Sequence, residues 1–332
     1  MQKRQMGRDG QSVACLGVGA MSFAEFYGPT SEENSFAILD AALEAGVTHL
    51  DTSNVYGMGR SENAIGSYLQ ANPAARDVFH IATKASISRD ADGNRFFDNS
   101  PEHLEAELDK SLKRLNVDCV DLFYVHRRNP AIEIEQVTET LAKLVQKGKT
   151  RSIGYSEIAP ASLRRAQAVH PVAAVQSEYS LWTRSPEMGL VQTCAELGVA
   201  LVAFSPVGRS MLTDHPLTKE VIATLPFLKT NPRFQSPHYE ENLRFSEGFR
   251  KLAAEFEMPA AGLAIAWTLA KGDHVIPIPG TRSVGHFKEL LAGTNVALNG
   301  DDLARLETVL PIGWAHGDRY SDDQWVGPER FC

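Results

Sequence analysis

Cysteine is scarce and scattered: Cys15, Cys119, Cys194 and Cys332 are the only four in 332 residues, and no CxxC pair occurs. That spacing signals neither a zinc knuckle nor a disulfide framework, and no metal site is expected. Long apolar runs are also missing. Val199–Phe204 is among the longest, far short of the about 18 residues a membrane span needs. The first ten residues, MQKRQMGRDG, carry no apolar core of the kind a secretory signal requires. No basic stripe is present, and 41 acidic side chains outnumber 33 basic ones for a formal charge of −8. Nucleic acid and anionic membrane are therefore poor partners, and a cytoplasmic protein is expected. Finally, no G-x-G-x-x-G follows any early strand candidate; Gly17-Val18-Gly19 does not complete one.

What is present is alternation. Short apolar runs at Cys15–Gly19, Thr48–Thr52, Phe79–Lys84, Val120–His126, Ser152–Ser156, Ala173–Glu178, Val199–Ser205 and His274–Pro279 read as strands buried on both faces. Amphipathic helices lie between them. Thr30 with Glu33 has capping-box spacing ahead of a helix over Glu32–Glu44. Ser100-Pro101 opens another, whose Leu104, Leu108, Leu112 and Leu115 form one stripe. Glu135–Gln146 repeats the pattern through Val137, Leu141, Leu144 and Val145. Strand–helix alternation without a flexible linker predicts one (β/α)8 TIM barrel over residues 1–332, with a doubly wound open sheet as the alternative. An Asp9-Gly10 turn predicts an N-terminal β-hairpin over residues 1–13. Residues 208–246 form a long loop after the seventh strand, and the aromatic tail 311–332, with Trp314, His316, Tyr320 and Trp325, is expected over the barrel mouth.

In such a barrel the carboxyl ends of the strands surround the active site. Those ends carry Asp51, Lys84 and His126, with Tyr56 just beyond Asp51. A phenol is a poor acid near neutrality, with a pKa of about 10. A lysine beside it favours phenolate, and a carboxylate keeps that lysine charged and oriented. An imidazole can then hydrogen-bond a substrate oxygen or relay a proton. The set suits reduction of a carbonyl to an alcohol and the reverse. A Schiff-base barrel enzyme using Lys84 as nucleophile is a separate reading, which the neighbouring Asp51 disfavours by keeping the amine protonated.

These residues sit in strings that resemble the aldo-keto reductase superfamily along nearly the whole chain. Leu50-Asp51-Thr52-Ser53-Asn54-Val55-Tyr56-Gly57 is similar to its signature around the catalytic aspartate and tyrosine. Ile81–Lys84 resembles its lysine strand and Asp121–Arg127 its histidine strand, the His-Arg pair being that of bacterial and channel-subunit-like branches. The resemblance implies an extended nicotinamide cofactor, NADP(H) by preference, with Tyr56 as general acid, Asp51 and Lys84 as its tuners and His126 orienting the carbonyl. It implies that Gly19 and Met21 flank the reactive ring, and that Ser156 and Gln176 bind the carboxamide with Glu157 beside them. Phe204, often tyrosine in the family, would stack on nicotinamide, and Ser205, Pro206, Val207 and Gly208 would cradle the pyrophosphate. Gly280, Thr281 and Arg282 would take the adenine-end phosphate, with His286 and Glu289 following. Many relatives carry arginine at the place of His286 and asparagine at that of Leu290, which leaves NAD(H) open as a second cofactor. From barrel geometry, Phe23, Phe26, Tyr27, Arg127, Arg128 and Trp182 are pocket candidates for a small carbonyl or alcohol substrate, with Trp314 closing the site. A slow regulatory subunit holding NADPH is the reading from another functional class. Composition says nothing of oligomeric state.

Overall fold

The computed structural model describes residues 1–90 and 92–332. In chain order the strands are β1 (Lys3–Gln5), β2 (Ser12–Ala14), β3 (Val18–Gly19), β4 (His49–Asp51), β5 (His80–Ala85), β6 (Ile87–Arg89), β7 (Arg95–Phe97), β8 (Val120–Val125), β9 (Thr150–Ser156), β10 (Ala174–Glu178), β11 (Ala200–Phe204) and β12 (Val275–Pro277). Eight of them, ordered β12-β11-β10-β9-β8-β5-β4-β3, form one parallel sheet. It curls until the Gly17 and Gly19 N–H groups donate to Pro277 O and Pro279 O, each at 2.9 Å, joining the first strand to the last. This is the (β/α)8 barrel, and the open doubly wound alternative falls. Among the described residues, no helix is long and apolar enough to cross a membrane.

The inside of the cylinder is filled by Ala82, Leu122, Tyr124, Ala174, Ala200, Val202, Ile276 and Ile278. Glycine at 154 makes room for Tyr124: a Cβ there would stand 2.6 Å from the tyrosine ring. Pairing of β1 with β2 makes the expected hairpin, one residue longer than 1–13, and its Met6 and Val13 join that inner cluster as a plug. The left-handed residue of its connection is Gly7 (φ 85°) rather than Gly10. The outer helices bury the stripes read from the sequence. Pro101–Leu115 starts with Ser100 accepting from His103 N and buries Leu104, Leu108 and Leu115; Ile134–Gln146 buries Val137, Leu141 and Leu144.

Two expectations need correction, and one element was not foreseen. Helix Glu32–Ala45 is capped by Ser31, whose hydroxyl accepts from Asn34 N at 3.2 Å. Thr30 lies one residue too early to reach that donor. Residues 208–246 are not one loop: they hold a helix at Lys219–Thr224 and a 3-10 turn at Pro232–Phe234, and helix His238–Glu255 begins inside them. A second hairpin, β6–β7, was not expected and stands over the barrel mouth.

Candidate active site

Four elements deliver four polar side chains to one point. Asp51 ends β4, Lys84 lies at the end of β5, His126 follows β8, and Tyr56 sits in the turn after β4. Lys84 Nζ donates to Asp51 Oδ1 at 2.5 Å and to Thr52 O at 2.7 Å, and stands 3.5 Å from the Tyr56 hydroxyl. Gln176 Nε2 donates to the other oxygen of Asp51 at 2.7 Å, so both carboxylate oxygens are held. His126 Nδ1 is 3.1 Å from Ser53 Oγ, and its ring meets that of Tyr56 edge-on at 5.9 Å. Lys84, Asp51 and His126 are buried, whereas Tyr56 is half-buried at the rim.

The electrostatics follow from that burial. Burial raises the Tyr56 phenol above its usual value even though the Lys84 ammonium pulls it down. The expectation of easier phenolate is thus reversed at rest: desolvation outweighs the neighbouring charge, and the phenol keeps its proton. Burial opposes the Lys84 ammonium, yet Asp51 and Tyr56 together raise it and it stays charged. His126 is held well below the ordinary imidazole value, first by burial and then by the charges of Arg127, Lys84 and Arg95, so it is neutral.

Tyr56 and His126 open into a cavity of about 430 Å³. Its wall includes Gly19, Met21, Ser156, Gln176, Phe204, Ser205, Pro206 and Val207, and further along Gly280, Thr281, Arg282, His286 and Glu289. Gly19 and Gly280 cross so closely that a Cβ on Gly280 would stand 2.6 Å from Gly19 O. Ser156 Oγ accepts from Arg127 at 3.0 Å. Of the pocket candidates, Tyr27 and Arg127 line the wall.

Several predicted positions do not line this cavity. Gly208 turns its N–H inward to Ser205 O at 2.9 Å and packs under the Trp182 ring. Trp182 is itself buried, stacked on Trp314 at 6.2 Å, and Trp314 donates to Leu181 O. Phe23 is buried beneath the first loop, Phe26 packs on Tyr27 and Phe227, and Arg128 pairs with Glu329 at 2.7 Å. Glu157 is sealed against Arg319 of the tail, with contacts of 2.5 and 3.2 Å. In each case tertiary packing claims a residue whose position along its strand or loop suggested a binding role.

Other wall residues escaped the sequence reading. Ile87 and Arg95 come from the β6–β7 hairpin, Arg209 and Phe227 from the segment after β11, and Gln324 from the tail, whose Tyr320 lines the wall as expected of a tail over the barrel mouth. A signal existed for the hairpin in Asp92-Gly93-Asn94, where Gly93 takes φ 84° and Asp90 accepts from Asn94 N at 2.8 Å. Arg209 is clamped by Glu178 at 2.6 Å between the rings of Phe227 and Tyr320.

Comparison with known proteins agrees with this geometry. The Aldo/keto reductase family model matches residues 15–311. A probable aldo-keto reductase 1 of Glycine max is 36% identical over 321 residues, 96% of this chain and 92% of that protein. An aldo-keto reductase, yakc [NADP(+)], of Schizosaccharomyces pombe is 35% identical over 96% of this chain and 94% of that protein. Among solved structures, a glycerol dehydrogenase from Gluconobacter oxydans superposes with a TM-score of 0.80 at 26% identity, covering 93% of this chain and 94% of its own. The holo form of an aldo-keto reductase from Bacillus halodurans gives 0.77 at 25% identity, covering 98% and 99%. A barrel with this strand order and a family match over nearly all of its length place the chain in the aldo-keto reductase family of oxidoreductases.

Proposed function

We propose that the chain reduces aldehydes or ketones to alcohols, and runs the reverse reaction, with NADP(H) as cofactor and Tyr56 as general acid and base. The observation that carries this reading is the 3.5 Å approach of the Lys84 ammonium to the Tyr56 hydroxyl beside neutral His126, at the edge of a cavity whose wall continues to Gly280, Thr281 and Arg282.

The wall fits such a cofactor. Small residues at Gly19 and Gly280 let a flat group pass close to backbone, Ser156 and Gln176 offer an amide its partners, and Arg282 with Thr281 suits a phosphate. When bound, the nicotinamide supplies or accepts the hydride. The Schizosaccharomyces pombe relative carries NADP(+) in its name, which favours the phosphorylated form. An imidazole at His286 in place of a permanent cation, and the aliphatic Leu290, weaken that grip and leave NAD(H) as a second cofactor.

The protein's own groups do the rest. In this reading Ser53, 3.1 Å from His126 Nδ1, donates to it, and the imidazole carries its proton on Nε2 to hold the substrate oxygen. Tyr56 delivers its proton to that oxygen as the alcohol forms. The resulting phenolate lies against the Lys84 ammonium, which Asp51 and Thr52 O fix in place, and regains its proton from solvent. In oxidation the same phenolate takes the alcohol proton. The fully buried, doubly bonded Lys84 is unsuited to Schiff-base formation, because its amine stays protonated.

The test is NADPH oxidation, followed by loss of nicotinamide absorbance, with an activated aldehyde. Tyr56→Phe should lower turnover by about 10²–10⁴-fold while NADPH binding persists. Unchanged turnover in that variant overturns the assignment.

A further inference from the structure

The arginines around the barrel mouth divide into two groups. Arg128, Arg209 and Arg319 each sit within an ion pair, with Glu329, Glu178 and Glu157 respectively. Arg95, Arg127 and Arg282 line the cavity and meet no carboxylate within 4 Å among the described residues. Arg282, at the far end, is accounted for by an anionic cofactor. Arg95 and Arg127 are not.

Those two lie together beside His126. Arg127 uses one terminal nitrogen on His126 O and Ser156 Oγ, at 2.6 and 3.0 Å. Arg95 uses one on the tail carbonyls of Asp323 and Val326, at 2.6 and 3.1 Å. The next tail residue, Gly327, packs between them: a Cβ there would be 2.6 Å from the Phe97 ring and 3.1 Å from Arg127 Cδ. Both guanidinium groups are thus anchored through one nitrogen each to rigid backbone or barrel, with further N–H donors unspent. The carboxylates of the cavity wall are Asp51, already held by Lys84 and Gln176, and Glu289 at the cofactor end. Glu157 behind the wall and Asp323 in the tail lie in Coulomb range of Arg127 and Arg95, but neither pairs with them within 4 Å, so an anion reaching this wall would gain the unspent N–H donors.

We propose that the substrate is a carbonyl compound bearing its own anionic group, a carboxylate or a phosphate, which Arg95 and Arg127 hold while the carbonyl faces Tyr56. This rests on the reductase reading above and narrows its substrate class. The β6–β7 hairpin then acts as a specificity element, and Arg95 as its charge-reading residue.

The experiment measures kcat/KM with NADPH for two matched pairs: 4-carboxybenzaldehyde against its methyl ester, and glyceraldehyde 3-phosphate against glyceraldehyde. In the native protein the anionic member of at least one pair should be preferred by about tenfold or more. The pair that shows it identifies the anion. Arg95→Gln, on an exposed hairpin position, should cut that preference about tenfold, and Arg95→Glu should reverse it. Turnover of the neutral members with no preference for either anion overturns the inference and leaves the reductase reading standing. So does a preference untouched by Arg95→Gln, or an effect of Arg95→Gln on NADPH affinity alone. No turnover of any of the four compounds overturns both.

Discussion

Arg282 donates to Pro29 O at 2.8 Å and lines the cavity beside His286, whose imidazole lacks the permanent charge of a guanidinium. Under the proposed function, selectivity for a 2′-phosphate rests on the one guanidinium of Arg282, with only the His286 imidazole beside it. A charge-assisted hydrogen bond is worth about 1.5–3 kcal/mol, or roughly tenfold to a hundredfold in affinity. Arg282→Ala should lower the ratio of kcat/KM for NADPH over NADH by at least about tenfold, and His286→Arg should raise it. An unchanged ratio in both variants places the phosphate elsewhere. At this scale the proposed catalytic residues were legible because each is a polar break after an apolar run: Asp51 after Leu50, Lys84 after Ile81-Ala82-Thr83, His126 after Val125. What the sequence could not carry was the balance of environments. The charge of Lys84 was readable, but the burial that raises the Tyr56 phenol against it depends on everything packed around the ring.

Among the elements, the C-terminal tail has the largest unexpected role. Arg319 reaches Glu157 at the end of β9, both side chains almost fully buried, and Glu329 N donates to Glu157 O at 2.9 Å. Burial would raise the Glu157 carboxyl, but Arg319 and then Arg127 hold it below its ordinary value, so it is charged. Removing one partner of such a pair leaves a buried charge alone, at a cost of about 3–5 kcal/mol. Arg319→Met should lower stability by that order in urea unfolding, and Arg319→Met combined with Glu157→Gln should recover much of the loss. A cost below about 1 kcal/mol for Arg319→Met shows that the tail is only weakly latched. The aromatic content of residues 311–332 pointed to an ordered tail, but a pairing across 162 positions leaves no periodic trace. The barrel strands were readable because burial on both faces makes each a short apolar run ended by polar residues. The segment 208–246 misled for the opposite reason. Its Pro and aromatic residues look like turns, yet the apolar residues inside it, among them Ile222, Leu228 and Phe234, are buried under its own short helices.

For the whole molecule, acid stability is set by buried imidazoles. His49 and His80 begin β4 and β5, at the end of the barrel away from Tyr56, with their Nδ1 atoms 3.0 Å apart. Burial lowers His49 to about 4 and, joined by the charge of His49, lowers His80 to about 3. His126 is pushed in the same direction at the other end. An unfolded chain titrates these rings near 6.5. Below that pH it binds protons that the folded barrel refuses, so the stabilisation is complete above pH 6.5 and is lost progressively toward pH 4. Each such histidine contributes up to about 1.4 kcal/mol per pH unit in that window. Urea midpoints should therefore fall steeply between pH 7 and pH 5, above the range where most carboxylates titrate. His49→Asn with His80→Asn should flatten the slope whatever its effect on stability at pH 7, since two of the four refused protons disappear, those of His126 and of His274, which burial also lowers, remaining. A native profile that is level from pH 7 to pH 5 means that the inner ends of these strands admit protons without opening.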